Sequence, residues 1–526
     1  MTTPSTLLFQ AAPPPVIVVG SGLAGLAAAT QLISHHNIPV QLLERSPKLG
    51  GNSIKASSGI NGAPTRFQPT LSSATNSNSN GNDVTSIDDQ FYNDTIRSAG
   101  TALTKAASTD EKQQREKLIS ALTGSSADAV YWLTDSKGID LSKVSQLGGH
   151  SRPRTHRGGP GQKTPGASII GTLLEGLEKS PNFNLRTGAK VTKVLRESDE
   201  VMGVEYEDNN DNNEQAKTKT ETLKGPVVFA SGGFAGDAHG LLAQYRPDLA
   251  GFPTTNQARE GTQPLLTAVG ARLVDMERVQ IHPTGFVDPN DAGALNKILA
   301  AEMLRGEGGI LLARDGKRFV NELNTRDKVT DAVMSYAEAL HSNNNSNNNE
   351  PAATKQWDVS LLLDETTAQA TSSHLGFYRW KGLVKQTTVG ELGPSALETI
   401  REYGQIASGR KSDSLGRKAF ANWTLGRDGG AEVTPQSVVL VGKVTPVVHF
   451  TMGGALINEH SQVLDTNGKP IHGLWAAGEI TGGIHGGNRL GGSSFLECVV
   501  FGRIAADQAA AFYESHYKNG GFMKQQ

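Results

Sequence analysis

The sequence predicts an α/β fold that begins with a Rossmann-like unit. Val16 to Val19 is a short β-branched run typical of a buried parallel strand, and Leu23 to His35 follows it as a helix of small residues. Val40 to Glu44 has the pattern of a second strand, which completes a strand–helix–strand unit. Two later apolar runs, Pro226 to Ala230 and Leu474 to Ala477, each end in a glycine-rich segment. We therefore expect several strands to end in loops that a ligand can approach.

The composition excludes several classes of protein. The chain has 526 residues, a length that allows roughly three domains. Its 50 basic and 52 acidic residues nearly cancel, which argues against a chain that coats nucleic acid. The single cysteine, Cys498, excludes a disulfide framework, a thiolate zinc site, a CxxCH haem attachment and an iron–sulfur cluster, and we expect it to be a buried thiol in a helix. We predict no metal site, no nucleic-acid partner and, since no apolar run is long enough, no membrane span.

A short lead and three polar stretches interrupt the globular pattern. Residues 1–13 lack the charges and the apolar core of a targeting segment. We therefore expect a disordered lead and a cytoplasmic location, with a mitochondrial or other organellar form left open. Ser72 to Asp83, Asp208 to Gln215 and Ser342 to Glu350 offer too little apolar surface to offset the entropy of ordering, so we expect surface loops.

The turn after the first strand carries a nucleotide-binding motif. Gly20, Gly22 and Gly25 form a G-x-G-x-x-G. In this motif the first glycine permits a tight turn, the second lets a pyrophosphate approach the backbone, and the third lets helix and strand pack closely. The N-terminus of the helix that follows attracts phosphate. Glu44, at the end of the next strand, is placed to accept the ribose hydroxyls, so the full pattern predicts a dinucleotide site.

A second glycine-rich loop favours FAD over NAD. The loop from Gly50 to Gly62 follows Glu44 closely, which suits a ligand longer than the adenylate half of NAD. The segments Ala230 to Phe234 and Trp475 to Glu479 look like the strand-end loops of flavoproteins with this fold. The residues that we predict to bind FAD are Gly20, Gly22, Leu23, Ala24, Gly25, Glu44, Arg45, Gly51, Asn52, Ser53, Ser57, Gly59, Ile60, Asn61, Ser231, Gly232, Glu479, His485, Ser493 and Ser494.

Five further motifs occur in order along the chain. They are His282-Pro-Thr-Gly285, Glu302-Met-Leu-Arg305-Gly-Glu-Gly-Gly, Asn324-Thr-Arg326-Asp327, Val448-His449-Phe-Thr-Met-Gly-Gly454 and the run from Ala477 to Gly492. Together they resemble the soluble fumarate reductases, members of the fumarate reductase/succinate dehydrogenase flavoprotein family. The resemblance runs from about Val16 to Ile504. It implies a Rossmann-like FAD-binding domain in two segments, about 14–276 and 451–520, with an inserted α+β capping domain at about 277–450.

The resemblance also implies a reaction, the reduction of fumarate to succinate. A hydride from N5 of reduced FAD would reach one alkene carbon, and Arg326 would donate a proton to the other. Glu302 and Arg305, three residues apart on one face of an expected helix, would return the proton to Arg326. The substrate is a dianion, and a guanidinium can grip a carboxylate with two parallel hydrogen bonds. The implied substrate-binding residues are His449 and Arg489 on one carboxylate and His282 on the other.

The last motif leads into a helix that begins near Gly491 to Ser494. We hypothesise that the positive end of this helix is aimed at the flavin, where it would stabilise the anionic reduced form and raise its potential. His485 would belong to the flavin pocket or to the residues that support it.

Three positions depart from the family pattern. Membrane-bound relatives link FAD covalently through a histidine where this chain has Asn52, so we predict non-covalent FAD. Bacterial soluble members often carry threonine where this chain has Ala301, so one hydroxyl contact to the substrate is either missing or supplied by another residue. Many relatives read Thr-Gly-Asp-Gly where this chain reads Arg259-Glu260-Gly261-Thr262, so a cofactor contact in that loop does not carry over.

Other activities of the same fold stay open. They are an ene-reductase on urocanate or another acrylate, a ketosteroid dehydrogenase, and an L-aspartate oxidase. A non-enzymatic flavin-binding assembly factor is disfavoured because it would not need the whole proton relay. The chain has no haem site, no iron–sulfur cysteines and no obvious second dinucleotide-binding domain. We therefore expect an external electron donor, either a reduced flavin or a redox protein.

Overall fold

A computed structural model of the chain describes residues 13–68, 90–105, 108–159, 161–208, 219–337, 339–340 and 354–518. The predicted disordered lead, up to residue 12, and the predicted surface loops 72–83, 209–215 and 342–350 lie outside the described residues.

The strands are β1 (Val16–Val19), β2 (Val40–Leu43), β3 (Ile60–Asn61), β4 (Lys143–Ser145), β5 (Thr155–Arg157), β6 (Phe183–Arg186), β7 (Ala189–Glu197), β8 (Glu200–Asp208), β9 (Lys219–Lys224), β10 (Val227–Phe229), β11 (Leu273–Val274), β12 (Val279–Phe286), β13 (Ile310–Ala313), β14 (Ala339–Leu340), β15 (Gln356–Trp357), β16 (Val359–Leu363), β17 (Lys385–Thr388), β18 (Val438–Thr451), β19 (Gly454–Leu456), β20 (Gln462–Leu464), β21 (Pro470–Ala476) and β22 (Thr481–Gly482).

The α-helices are α1 (Leu23–Ser34), α2 (Gln90–Ala99), α3 (Thr101–Thr104), α4 (Thr109–Gly124), α5 (Ser126–Tyr131), α6 (Pro165–Glu178), α7 (Leu241–Tyr245), α8 (Gln263–Thr267), α9 (Met303–Gly306), α10 (Arg326–Tyr336), α11 (Glu365–Ala370), α12 (Ser372–Trp380), α13 (Pro394–Ala407) and α14 (Ser493–Tyr513).

The predicted strand–helix–strand unit lies at the centre of the largest sheet. Its strands run in the order β6-β2-β1-β10-β21-β8-β7, and β1 pairs in parallel with both β2 and β10. Every residue of β1 is buried, as expected for a parallel strand whose two faces are both covered. The α/β prediction is therefore confirmed. β2 ends at Leu43, so that Glu44 follows the strand directly.

Residues from the two ends of the chain complete this sheet together. β10 pairs in parallel with β21, and α14 packs against α1. The approach of the helices is close, since a Cβ on Gly502 would lie 2.7 Å from the carbonyl oxygen of Ala24. Cys498 is buried within α14, as the sequence predicts. Within the described ranges, no helix is long and apolar enough to cross a membrane.

A second, antiparallel sheet lies between residues 279 and 451. Its strands run in the order β12-β18-β16-β13, with β17 also paired to β18. The longest strand, β18, is largely buried and pairs with β12 so that His282 faces Val447 across the ladder. Helices α9 to α13 surround this sheet. We call this part of the chain the cap and the remainder the flavin unit; the exact domain borders stay a prediction.

Three of the contacts that hold the cap against the flavin unit lie next to α9 and in α12. The backbone N–H of Gly148 donates to Glu302 Oε1 at 2.9 Å. Arg157 Nη2 forms a buried ion pair with Glu307 Oε1 at 2.6 Å. His374 Nε2 lies 2.6 Å from the carbonyl oxygen of Ser57. Two of these contacts flank α9, so the interface fixes the short helix that follows Glu302.

Candidate active site

A large cavity opens where the parallel strands end and the cap begins. Its volume is about 1280 Å³, and its lining residues run from Val19 to Cys498 along the chain. Residues that follow β1, β2, β10 and β21 all contribute to its wall. Ligands of open α/β sheets bind beyond the carboxyl ends of the strands, so the position of this cavity is the expected one.

The three glycines of the first turn have different geometry. Gly20 has a φ of +106°, and a Cβ on it would lie 2.5 Å from the carbonyl oxygen of Ala230. A Cβ on Gly25 would lie 1.9 Å from the carbonyl oxygen of Gly20, so only glycine allows α1 to pack here. A Cβ on Gly22 would meet nothing closer than Ser53 Oγ at 3.6 Å. Gly22 therefore leaves room for a ligand at the N-terminus of α1, which fits a pyrophosphate.

Glu44 is held in place beside this turn. Its Oε2 accepts from Ser21 N at 2.9 Å and from Ser21 Oγ at 2.6 Å, and its Oε1 accepts from Ser46 N at 2.9 Å. The side chain is buried and lines the cavity. A carboxylate has about four lone-pair positions, so one remains for a ribose hydroxyl.

Most of the predicted FAD-binding residues line the cavity. They are Gly20, Gly22, Leu23, Ala24, Glu44, Arg45, Gly51, Asn52, Ser53, Ser57, Gly59, Ser231, Gly232, Glu479 and Ser494. The other five lie behind the wall, all of them in the described part of the chain: Gly25, Ile60, Asn61, His485 and Ser493.

Two of those five support the cavity wall through hydrogen bonds. Asn61 Nδ2 donates to the carbonyl oxygen of Gly491 at 2.8 Å and to Ser493 Oγ at 3.0 Å, which fixes the turn before α14. His485 Nε2 lies 2.9 Å from Glu497 Oε2, and both side chains are buried. These residues hold the helix that presents Ser494 to the cavity.

The predicted catalytic and substrate-binding residues divide in the same way. Arg326, His449 and Arg489 line the cavity. Glu302, Arg305 and His282 are fully buried and lie behind it within the described residues.

Arg326 is oriented by two buried side chains. Its Nε and Nη2 contact Glu302 Oε2 at 2.7 and 2.5 Å, and its Nη1 donates to Gln280 Oε1 at 2.8 Å. Gln280 Nε2 donates in turn to the carbonyl oxygen of Arg489 at 2.7 Å. The guanidinium is therefore fixed by two contacts to the Glu302 carboxylate on one side and by the Gln280 amide on the other.

The acid and the second arginine of the predicted relay are strongly perturbed by burial and by each other. Burial alone would raise the pKa of Glu302. The positive charges of Arg326 and Arg305 outweigh that effect and lower the pKa to about 2, so this carboxylate stays charged. Burial lowers the pKa of Arg305 to about 10, against the opposing effect of Glu302. Arg305 Nη1 donates to the carbonyl oxygen of Glu322 at 2.6 Å, while its Nε and Nη2 find no partner among the described residues.

The two histidines near Arg326 are neutral. Burial, followed by the charge of Arg326, holds the pKa of both His282 and His449 well below the usual value. Their rings lie 5.3 Å apart, and Thr255 Oγ1 lies 3.0 Å from His449 Nδ1. His282 Nε2 is buried without a partner in the described structure. As neutral rings they can each offer one N–H to an anion.

Arg489 completes this end of the cavity. Its guanidinium carbon lies 4.3 Å from the centre of the Phe450 ring, a cation–π contact. Burial, then repulsion from Arg326, lowers its pKa to about 9. Its Nε has no partner among the described residues. Two arginines that repel each other across a cavity favour an anion between them.

Sequence reasoning missed several residues that position this site. Gln280 stands two residues before His282 on β12, on the same face of the strand, and that spacing could have revealed it. Asn488, whose Oδ1 accepts from Gln280 at 3.0 Å, is the neighbour of Arg489. Gly148 lies far along the chain from every motif, and no pattern singles out Thr255, four residues before the loop at Arg259.

Comparison with known proteins agrees with this geometry. A family model described as an FAD binding domain matches residues 15–495. The chain is 40% identical to fumarate reductase 1 of Saccharomyces cerevisiae, in a match that covers 94% of this chain and 98% of that protein. It is 38% identical to the fumarate reductase of Schizosaccharomyces pombe, over 94% of this chain and 89% of that protein. The chain belongs to this family of FAD-binding flavoproteins. It is an FAD-dependent oxidoreductase.

A solved structure agrees with the family assignment. The open conformation of a flavocytochrome c3 fumarate reductase superposes with a TM-score of 0.65 and 28% sequence identity, covering 96% of this chain and 79% of that one. The family to which the sequence motifs point is therefore confirmed, as is the prediction of an FAD-dependent enzyme.

Glu479 is a buried acid whose pKa is raised far above its usual value. It lines the cavity, and its Oε1 accepts from Thr451 N at 2.9 Å and from Thr451 Oγ1 at 3.2 Å. Burial nonetheless raises its pKa to about 7. The folded protein therefore holds a proton on Glu479 at pH values where the unfolded chain has lost it.

This proton makes stability depend on pH. Because the folded pKa lies above the unfolded value, the stabilisation is complete below about pH 4.5 and is lost as pH rises through 7. We expect the free energy of unfolding to fall by up to about 3 kcal/mol over that range because of Glu479 alone. This fall in the free energy of unfolding is measured by urea unfolding of the wild type and of Glu479→Gln at pH 5 and pH 8. An equal fall in both proteins would contradict the assignment to Glu479.

Proposed function

We propose that the chain reduces fumarate to succinate. The observation that carries this proposal is the convergence of Arg326, His449 and Arg489 on one end of the FAD-binding cavity. A dianion needs donors at both of its ends, and this wall supplies two guanidinium groups and a neutral imidazole. The fumarate reductases among the relatives support the same substrate.

In this proposal Arg489 and His449 bind one carboxylate and His282 the other. The Phe450 ring holds the guanidinium of Arg489, and Thr255 orients the ring of His449. His282 Nδ1 lies 3.1 Å from the carbonyl oxygen of Thr284 and 3.2 Å from its N–H, and the proposal requires the second contact, with Nδ1 as acceptor and the ring proton on Nε2. That Nε2 is the buried atom without a partner. It would donate to the second carboxylate once the substrate is in place.

Arg326 is the proposed proton donor. FAD, when bound, supplies the hydride. Arg326 uses three of its five N–H groups on Glu302 and Gln280, which leaves two, on Nη1 and Nη2, for the substrate. Arginine is a poor acid in water, but Glu302 lies in direct contact and would return a proton at once. The structure has no direct bond from Glu302 to Arg305, so a water between them would complete the relay.

The FAD is proposed to be non-covalent. Asn52 lines the cavity where membrane-bound relatives have a histidine, and its Nδ2 donates to Asn256 Oδ1 at 2.6 Å. An amide that is neutral and hydrogen-bonded is not a nucleophile. Denaturation in acid should release all of the flavin into the supernatant.

The cap is proposed to open and close over the substrate. Closure brings Glu302 to the N–H of Gly148 and completes the setting of Arg326, so chemistry and closure are coupled. Electrons would come from outside the chain, from a reduced flavin or a redox protein, as the sequence predicts.

One experiment tests the proposed substrate. The bound flavin is reduced without oxygen, the reductant is removed, and fumarate is added while the flavin absorbance is followed. We expect the oxidised spectrum to return with fumarate and not with acrylate, because a mono-acid leaves one end of the site unpaired. Reoxidation by urocanate or acrylate but not by fumarate would contradict the proposal and favour a related ene-reductase.

The N-terminus of α14 offers a separate test of the flavin site. Ser494 lines the cavity at the second residue of this 21-residue helix, whereas Ser493 is buried and bonded to Asn61. An added negative charge here would oppose a reduced, anionic flavin. We expect Ser494→Asp to lower the midpoint potential by about 30 mV, equivalent to about 1.4 kcal/mol for two electrons. Ser494→Asn is the matched neutral control, and an unchanged potential in the aspartate variant would rule the effect out.

A further inference from the structure

A cluster of basic side chains lines the cavity in addition to Arg326 and Arg489. It consists of Arg45, Lys55 and Arg259, which come from three separate segments of the chain. Sequence reasoning assigned only Arg45 to the cofactor, and Arg259 stands in the loop that departs from the family pattern.

None of these three cations has an acidic partner in the described part of the chain. Glu260, the neighbour of Arg259, forms its ion pair with Lys190 instead, at 3.2 Å. Arg45 Nη1 donates only to the backbone carbonyl of Glu260, at 3.0 Å. Three cations in one cavity wall without side-chain ion pairs of their own favour the binding of an anion among them.

The cations act on one another. Burial lowers the pKa of Arg45 and of Lys55, and in each case the positive charge of Arg259 lowers it further, while Glu44, Glu260 and Asp237 partly oppose this shift at Arg45. Arg259 is thus close enough to Arg45 and to Lys55 for its charge to act on both.

The position of the cluster indicates which anion it receives. Lys55 follows Asn52 and Ser53, and Ser53 Oγ accepts from the N–H of Leu23 at the start of α1. Arg259 Nη2 would lie 3.3 Å from a Cβ on Gly232, in the loop after β10, the strand next to β1. The cluster therefore borders the glycine turn that leaves room for a pyrophosphate.

We propose that Arg45, Lys55 and Arg259 bind the diphosphate of FAD in charge-assisted hydrogen bonds, with Lys55 and Arg259 as anchors additional to the glycine turn. The inference rests on membership of the FAD-binding family and not on fumarate as the substrate. The departure from the family pattern then has a consequence: Arg259 adds a positive charge to the cofactor site in the loop where many relatives read Thr-Gly-Asp-Gly.

The test is the retention of FAD by the holoenzyme. FAD release after dilution is followed by the rise in flavin fluorescence at low and at high sodium chloride, for the wild type, Arg259→Gln and Lys55→Gln. We expect each substitution to weaken FAD binding about tenfold at low salt, the loss of one charge-assisted bond. We also expect a weaker dependence on salt, because fewer charges meet the phosphates.

Two further variants control for charge and for folding. Lys48→Gln removes an exposed positive charge from the same loop without touching the cavity, and it should retain FAD like the wild type. Arg259→Lys should recover most of the affinity lost in Arg259→Gln.

The proposal is overturned if Arg259→Gln and Lys55→Gln keep the FAD affinity and the salt dependence of the wild type. Turnover is also measured with added pyrophosphate. The proposal is overturned if the variants retain FAD like the wild type and lose only the inhibition of turnover by pyrophosphate, since the cluster would then bind an anion other than the cofactor. Fumarate takes no part in the measurements of FAD retention, so a failure there leaves the proposed function untouched.

Discussion

Arg326→Ala is expected to stop fumarate reduction while the protein keeps its flavin. The substitution removes the proposed proton donor and one of two positive charges at the substrate end of the cavity. We expect turnover to fall about 10⁴-fold, the upper range for a lost general acid. Stopped-flow spectroscopy should show a reduced flavin that stays reduced when fumarate is added.

The matched control for this variant is Lys328→Ala. Lys328 is an exposed cation two residues away on α10, so the variant loses the same charge from the same helix without entering the cavity. We expect normal turnover. Arg326→Lys keeps the charge but loses the fork to Glu302, and it should retain only a small part of the activity. Turnover by Arg326→Ala near the wild-type rate would show that another group donates the proton.

Glu302→Gln is expected to affect both stability and activity. Glu302 is 1% exposed, and its two oxygens accept from Gly148 N and from Arg326. Glutamine has nearly the same size as glutamate but presents a neutral amide to the guanidinium of Arg326. The buried positive charge of Arg326 then has no carboxylate partner. We expect a loss of about 3–5 kcal/mol in the free energy of unfolding. Turnover should fall by at least about 10²-fold because the donor is no longer reprotonated.

Glu307→Gln separates these two effects. Glu307 lies just beyond the other end of α9 and forms its own buried ion pair with Arg157, but it does not contact Arg326. We expect Glu307→Gln to destabilise the protein by a similar amount, measured by urea unfolding, while most of the turnover remains. If both variants lose turnover equally, the role of Glu302 is to hold the cap and not to carry a proton.

Much of this site follows from the sequence because its chemistry depends on local patterns. The strand, glycine turn and helix from Val16 to Ser34 lie where the sequence predicts, since a buried parallel strand and a glycine turn both leave strong local signals. Arg326 and Glu302 stand in separate motifs, yet the structure brings them into contact. The predicted helical pair of Glu302 and Arg305 lies at α9 as expected.

What the sequence does not reveal is contact between distant segments. Gly148 N meets Glu302, and Arg259 reaches the loop at Gly232, only because the tertiary fold brings those backbones together. Burial is similarly hidden: His282 and Asn61 are in suitable motifs, but both lie behind the cavity wall. A motif indicates which residues belong to a site, and only the packing decides which of them face the ligand.

The closure of one sheet by both ends of the chain has a consequence for synthesis. The cavity wall needs Val19 near the beginning and Cys498 near the end, and α1 packs on α14. A nascent chain on the ribosome cannot complete the FAD site until β21 and α14 have been translated, although domains generally fold as units in order of emergence. Until β21 and α14 emerge, β10 has an open edge and the apolar α1 lacks its partner. Loading of the flavin would therefore follow the emergence of α14 and would coincide with the covering of these two surfaces.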